Sequence, residues 1–291
     1  MAEFDEKQER IQALLTERDL EALLLRRVSS FGWATCGVAS YVNTAATTGE
    51  AVLLVTPSGR HLLTNNIEEP RLAAEERLAE QGWQFHVSPW YESMDTVSQL
   101  TRGLRLGADG PFPGAIDLAR PLARLRASLT PEEGERFRAL GSLCARAIEA
   151  AARAVRPGQT EYEIAALLAE ESERRGVQAI VNLVGADEHV FAFPHPLPGR
   201  KEVQRYAMLV LCGRHEGLVC SVTRLVHFGA LPEDLSRKAT AVAQVDATFL
   251  DGTRPGRTLA QVFAEATVAY AACGFPEEWR RHHQGGPAGY E

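Results

Sequence analysis

A short segment that occurs twice constrains this chain most. Arg156-Pro157-Gly158-Gln159-Thr160-Glu161-Tyr162-Glu163-Ile164 recurs as Arg254-Pro255-Gly256-Arg257-Thr258-Leu259-Ala260-Gln261-Val262. Each copy follows one helical stretch and opens another, and each puts Glu163 or Gln261 three residues after a threonine. This is capping-box chemistry: the hydroxyl and the downstream side chain satisfy two of the N–H groups that a first helical turn leaves orphaned. The shared chemistry is structural, and the matched helices around it point to an internal duplication. After the first copy, residues 178–184, 206–212 and 217–227 read as strands, the last two joined through Gly213-Arg214-His215-Glu216. After the second copy the sequence reaches Glu291 without counterparts to those strands. A duplicated unit therefore predicts that the natural protein continues beyond Glu291 and that the second repeat is incomplete here.

Upstream, Ile11, Leu14 and Leu15 stand at helical spacing within 8–19, and 20–25 reads as a buried strand. Residues 51–55 and 61–64 flank Pro57-Ser58-Gly59 as a hairpin, with type I turn chemistry at the bend. Helices are predicted over 68–81, 94–104 and 116–125, and strands over 84–87 and 106–108. Thr130 followed by Pro131 announces the next helix, as N-cap and first helical residue. The domain boundary falls near 126–129, giving an N-terminal α/β domain over 1–128 and a second, duplicated α+β domain over 129–291.

Composition narrows the function classes. Thirty-one Lys and Arg against 38 Asp and Glu leave a formal charge of −7, which offers no basic field for a phosphate backbone, so nucleic acid is excluded as a partner. No run of about 18 apolar residues follows the charged start, so neither a membrane span nor a signal peptide is expected, and the protein reads as cytoplasmic. Five cysteines in a long chain read as reduced thiols. Glycine fingerprints for phosphates or dinucleotides and the Gly-x-Ser-x-Gly elbow do not occur.

Two histidine segments carry candidate chemistry. His195 lies between Pro194 and Pro196, a stiff backbone suited to positioning a group against a substrate, and His282-His283 precedes Gln284-Gly285-Gly286-Pro287. The series Cys212, His215, Cys220, His227 has zinc-knuckle-like spacing, but on extended chain these side chains spread apart, and the cysteines read as core residues.

Taken together, the N-terminal helix and strand, the segment 64–72, the two Arg-Pro-Gly-x-Thr boxes, Pro194-His195 and the stretch 209–224 resemble the creatinase, aminopeptidase P and prolidase family, over about 10–291. The resemblance implies a creatinase-type N-terminal domain followed by a duplicated "pita-bread" domain, a homodimer, and a dinuclear zinc, manganese or cobalt centre. It also implies where that centre fails. The family's Val-Asp-x-Gly falls on Val210-Leu211-Cys212-Gly213, and its Asp-x-Thr-Arg falls on Ser221-Val222-Thr223-Arg224. Leu211 and Ser221 thus stand at the two aspartate positions. The family's metal histidine falls on His283, a second downstream histidine falls on Tyr290, and the two glutamate ligands belong beyond Glu291. Dications about 3.5–4 Å apart need bridging carboxylates, so no metal cofactor is expected, and His283 alone cannot hold an ion.

The reading that follows is an Xaa-Pro dipeptidase-like protein that has lost the metal-dependent reaction, a pseudoenzyme binding a small peptide or small molecule through His195, His282, Tyr290 and Arg224. The alternative is a metal-free, creatinase-like amide or amidino hydrolase with His195 and His283 as its catalytic histidines, although the creatinase carboxylate falls on Thr223. An active Xaa-Pro metallopeptidase ranks third.

Overall fold

The computed structural model describes residues 2–92, 95–285 and 288–290. Helix α1 (Ala2–Glu17) buries Ile11, Leu14 and Leu15, the stripe its spacing predicts. It feeds β1 (Ala22–Arg27), and the chain then forms α2 (Val28–Ala34), a short helix in which every residue is buried. Next come β2 (Thr48–Thr56) and β3 (Gly59–Asn65), the antiparallel hairpin expected around Pro57-Ser58.

The helix predicted over 68–81 does not form. A π-helical turn (Arg71–Glu75) and a 3₁₀ turn (Leu78–Gln81) replace it, with Arg77 left-handed between them. Leu72 and Leu78 explain the difference: both are fully buried, yet six positions at about 3.6 residues per turn would put them on different sides of one α-helix. The break lets both reach the core.

Strand β4 (Gln84–Ser88) and the short α3 (Thr96–Leu100) follow; Met94, where that helix was expected to begin, lies outside the described residues. Strand β5 (Leu106–Ala108) is as predicted, but Ile116 belongs to β6 (Ala115–Asp117), and the helix begins only at α4 (Ala119–Ala127). Together these strands make a mixed six-stranded sheet in the order β4-β3-β2-β1-β5-β6.

Beyond it, α5 (Pro131–Ala154) starts with the full capping box of Thr130 and Glu133, and α6 (Glu161–Glu173) with that of Thr160 and Glu163. A second, antiparallel sheet of β7 (Gln178–Ala186), β8 (Tyr206–His215) and β9 (Leu218–His227) packs against them, with α7 (Glu188–Ala192) between β7 and β8. The β8–β9 connection is tighter than expected. Gly213, Arg214 and His215 stay in the ladder, and the turn is Glu216-Gly217, both at positive φ (47° and 76°), the geometry a two-residue hairpin favours.

The second repeat supplies α8 (Glu233–Gly252) and α9 (Leu259–Ala272), the latter capped by Thr258 and Gln261. Gly158 and Gly256, at equivalent turns of the two copies, adopt nearly the same left-handed φ of 88° and 85°. The architecture is thus α+β. One apolar cluster runs from Ile11, Phe31 and Trp33 through Leu140 and Ile148 to Leu211, Leu218 and Tyr290, so the two sheets share a continuous core.

Candidate functional site

The three-stranded sheet has one face under helices and one open face. Leu209 and Leu211 are fully buried on the helix side, where a Cβ added to Gly213 would collide with Val177 and with Cys144 of α5. Side chains alternate along a strand, so Cys212 points the other way. It pairs in register with Ser221, whose Oγ donates to Cys212 Sγ over 3.1 Å, while Leu211 pairs with Val222. Leu211 and Ser221 are the two residues that the resemblance sets at the family's aspartate positions. Those two residues lie on opposite faces and cannot flank one ion. Leu211 is a core residue, and Cys212 is the residue that faces Ser221.

His195 sits at another border of this sheet, on the loop between α7 and β8. Glu161, the first residue of α6 and fully buried, accepts hydrogen bonds from the Ala186 N–H (2.8 Å) and the Gly199 N–H (2.9 Å), and pairs with His189 Nδ1 at 2.8 Å. Asp187 accepts the N–H groups of Gln204, Arg205 and Tyr206; burial works against its charge, but these bonds hold the carboxyl below its usual range. Both ends of the loop are therefore pinned by carboxylates. Pro196 is buried against Gly185, where a Cβ would meet it at 2.8 Å, and His195 projects from that anchored backbone.

The partner histidines arrive from the second repeat. A 3₁₀ turn (Glu278–Arg281) leads into His282, whose Nε2 lies 3.0 Å from His195 Nε2. Ring centroids are 4.7 Å apart for His195 and His282, 5.7 Å for His195 and His283, and 4.1 Å for His282 and His283. His282 Nδ1 is 2.5 Å from the His283 carbonyl, which can only accept, so Nδ1 carries a proton and the neutral ring keeps its lone pair on Nε2. Gln284 donates to the carbonyls of His282 and Trp279 and accepts from Tyr270 of α9, tying the segment to the second repeat. A cleft of about 720 Å³ adjoins His282, walled by Phe191, Phe193, Val242, Tyr270 and Phe275, with Lys238 and Arg281 as its cations.

The structure thus brings His195, His282 and His283 together and leaves the other expected site residues elsewhere. Tyr290 is buried beside the β8–β9 turn: it donates to Glu133 Oε1 over 2.7 Å and lies 3.3 Å from Lys7 Nζ, and burial together with the Glu133 charge pushes its phenol up. Arg224 lies on the helix-covered face, paired with Leu209 in register and 3.5 Å from Glu149 of α5. Cys212 and Cys220 occupy opposite faces, His215 Nδ1 pairs with the Gly176 carbonyl, and His227 lies beside Tyr206, so the knuckle-like series does not converge. Glu161 was not singled out from sequence; its place in the capping-box helix hides that it also anchors the histidine loop.

The sequence model of metallopeptidase family M24 matches residues 135–290. The chain belongs to that family. Among curated protein sequences none matches this M24 chain. Its fold is that of solved M24-type structures. The dipeptidase PepE from Mycobacterium ulcerans superposes with a TM-score of 0.78 at 20% identity, over 99% of this chain and 81% of that one. The Xaa-Pro dipeptidase from Bacillus anthracis gives 0.76 at 18% identity (94% and 79%), and the prolidase from Pyrococcus horikoshii OT3 gives 0.76 at 16% identity (94% and 79%). The pita-bread expectation for the second sheet and its helices is therefore met.

Membership of a metallopeptidase family implies a metal centre, and the donors on the open sheet face test whether a carboxylate-bridged pair fits. It does not. Cys212 and Ser221 meet there as a thiol and a hydroxyl hydrogen-bonded to each other, with no charge to offset the repulsion of two dications.

Proposed function

We infer that this M24 protein binds a small peptide or peptide-like molecule in the cleft beside the three histidines and does not hydrolyse it through a dinuclear metal centre. The Cys212–Ser221 hydrogen bond carries this reading, because it occupies the sheet position from which paired carboxylates would have to reach two ions. The cleft supports the ligand class. About 720 Å³ suits a compact ligand, the aromatic walls offer apolar surface, and Lys238 offers charge to a carboxylate end, while Arg281 pairs with Glu278 of the same wall at 3.4 Å. The solved relatives named as dipeptidases, Xaa-Pro dipeptidases and prolidases make dipeptides, Xaa-Pro among them, the first ligands to try. The test is a dipeptide panel read by calorimetry and by product release in the presence of EDTA. Saturable binding with no cleavage is expected; cleavage that needs two equivalents of metal would overturn the reading.

A second reading has one observation in its favour. His195 has a titratable partner, with its Nε2 3.0 Å from His282 Nε2, so a proton can pass between the two rings. A metal-free amide or amidino hydrolase would use that pair, and its turnover would survive EDTA and vanish in His195→Ala.

A further inference from the structure

We propose that His195, His282 and His283 form a mononuclear site for a borderline transition-metal dication such as Zn²⁺, with a coordination position left open toward the cleft. This goes beyond ligand binding in the cleft, which requires no ion, and it differs from a carboxylate-bridged pair in both donors and nuclearity. Among the described residues these three histidines are the group of metal-ligating side chains that converges, with one ligand atom from each lying within 4.8 Å of the others.

The His195 Nε2 to His282 Nε2 distance of 3.0 Å is close to the edge of a tetrahedron built on Zn–N bonds of about 2.0–2.1 Å, roughly 3.3 Å. A single proton has to move for it. With Nδ1 of His282 donating to the His283 carbonyl, Nε2 presents a lone pair, and His195 Nε2–H donates to it. A cation entering between the two rings takes the place of that hydrogen bond: His195 shifts to its Nδ1–H tautomer without losing a proton, and both Nε2 lone pairs, with a nitrogen of His283, face the ion. The net exchange is one dication bound with all three rings neutral.

The donor set selects the ion. Three imidazoles with no carboxylate among them suit Zn²⁺, Co²⁺, Ni²⁺ or Cu²⁺ and disfavour Mg²⁺ and Ca²⁺. They leave the full 2+ charge on the ion, and three protein ligands leave room for a fourth, which a carboxylate or amine of a ligand in the cleft could supply. The sequence reading left His283 alone at this position; the fold adds its neighbour His282 and, from the loop between α7 and β8, His195.

The test uses the 291-residue chain, titrated with Co²⁺ and followed by its visible d–d absorption, with Zn²⁺ as competitor. One equivalent is expected to bind with a four- or five-coordinate spectrum. His195→Ala, His282→Ala and His283→Ala should each weaken binding at least about tenfold, while His215→Gln and Cys212→Ser leave it unchanged. Circular dichroism of each variant, with His282→Gln as a milder change, separates lost binding from lost folding. Absence of saturable Co²⁺ and Zn²⁺ binding, or binding that ignores all three histidines and follows Cys212, would overturn the proposal. Dipeptide binding measured in EDTA is independent of either result.

Discussion

Cys212 and Ser221 stand directly opposite each other on the open face of the β8–β9 ladder, joined by a 3.1 Å hydrogen bond from Ser221 Oγ to Cys212 Sγ. Because neither residue is a carboxylate, this part of the sheet offers no bridging oxygens to a pair of dications. Leu211, one residue away, belongs to the core instead.

The face assignment has a direct consequence for stability. Leu211→Asp should cost at least the about 2–5 kcal/mol of a large-to-small core change, with the burial of an unpaired carboxylate added. Cys212→Asp, on the open face, should cost about 1 kcal/mol or less. Urea unfolding of both variants decides it, and equal losses would show that the two residues do not differ in the way the register requires.

The motif region was legible in the sequence as two strands and a turn, but not to the residue. Placing the turn at Gly213–Glu216 rather than at Glu216-Gly217 shifts the facing pairs by an even number and keeps the faces; it is the family alignment, which sets Leu211 and Ser221 at paired positions, that lies one residue out of the Cys212–Ser221 register and so on opposite faces. The positive φ of Glu216, a residue with no glycine-like freedom, is what the sequence hides. The three-histidine cluster was hidden for another reason. His195 and His282 were each visible, but their meeting depends on how the second repeat docks against the α7 loop, which no local pattern records.

Tyr290 belongs to a buried ionic network. Lys7, fully buried, contacts Glu3 at 2.6 Å and Glu133 at 2.7 Å, and Tyr290 donates to the same Glu133 oxygen. Lys7→Met would leave buried Glu133 without its cation and Glu3 with Arg136 alone, and should cost about 3–5 kcal/mol. Tyr290→Phe removes only a hydrogen bond to a charged acceptor, about 1.5–3 kcal/mol. Chemical denaturation measures both. Ligand affinity in the cleft should be unchanged in Tyr290→Phe; a tenfold loss there would return Tyr290 to the binding site.

Glu3 makes this network sensitive to acid. Burial alone would raise its pKa, but hydrogen bonds from Arg136 and Lys7 outweigh that and bring it from 4.5 down to about 2. The folded state therefore holds the proton less tightly than the unfolded chain. The resulting stability is fully present above pH 4.5 and drains away as the pH falls toward 2. The denaturation midpoint should drop over that window in the native protein, and Glu3→Gln should flatten this part of the profile; an unchanged slope in the variant would remove Glu3 as the cause.

Elements with explicit end signals were read correctly from sequence. Thr130-Pro131 and the two repeated threonines each open a helix with its capping box in place. Elements whose form is set by tertiary packing were not. The uniformly buried α2 has no polar face to betray its period, and the 68–81 segment breaks its helix so that Leu72 and Leu78 can both reach the core.

The loop carrying His195 should depend on Glu161, which is remote from the histidines yet fully buried and in contact with Ala186, His189 and Gly199. Glu161→Gln keeps the shape but removes the charge and turns an amide N–H₂ toward groups that donate, so at least one buried N–H loses its acceptor. A loss of about 1.5–3 kcal/mol is expected from the charge-assisted bond. A general effect on folding would speed amide exchange throughout the second sheet. If Glu161 acts by holding the loop, exchange should accelerate first over 187–199, and ligand affinity should fall while β8 and β9 stay protected. Exchange over 187–199 as slow in the variant as in the native chain would mean that Asp187 and the buried Pro196 fix the loop without Glu161.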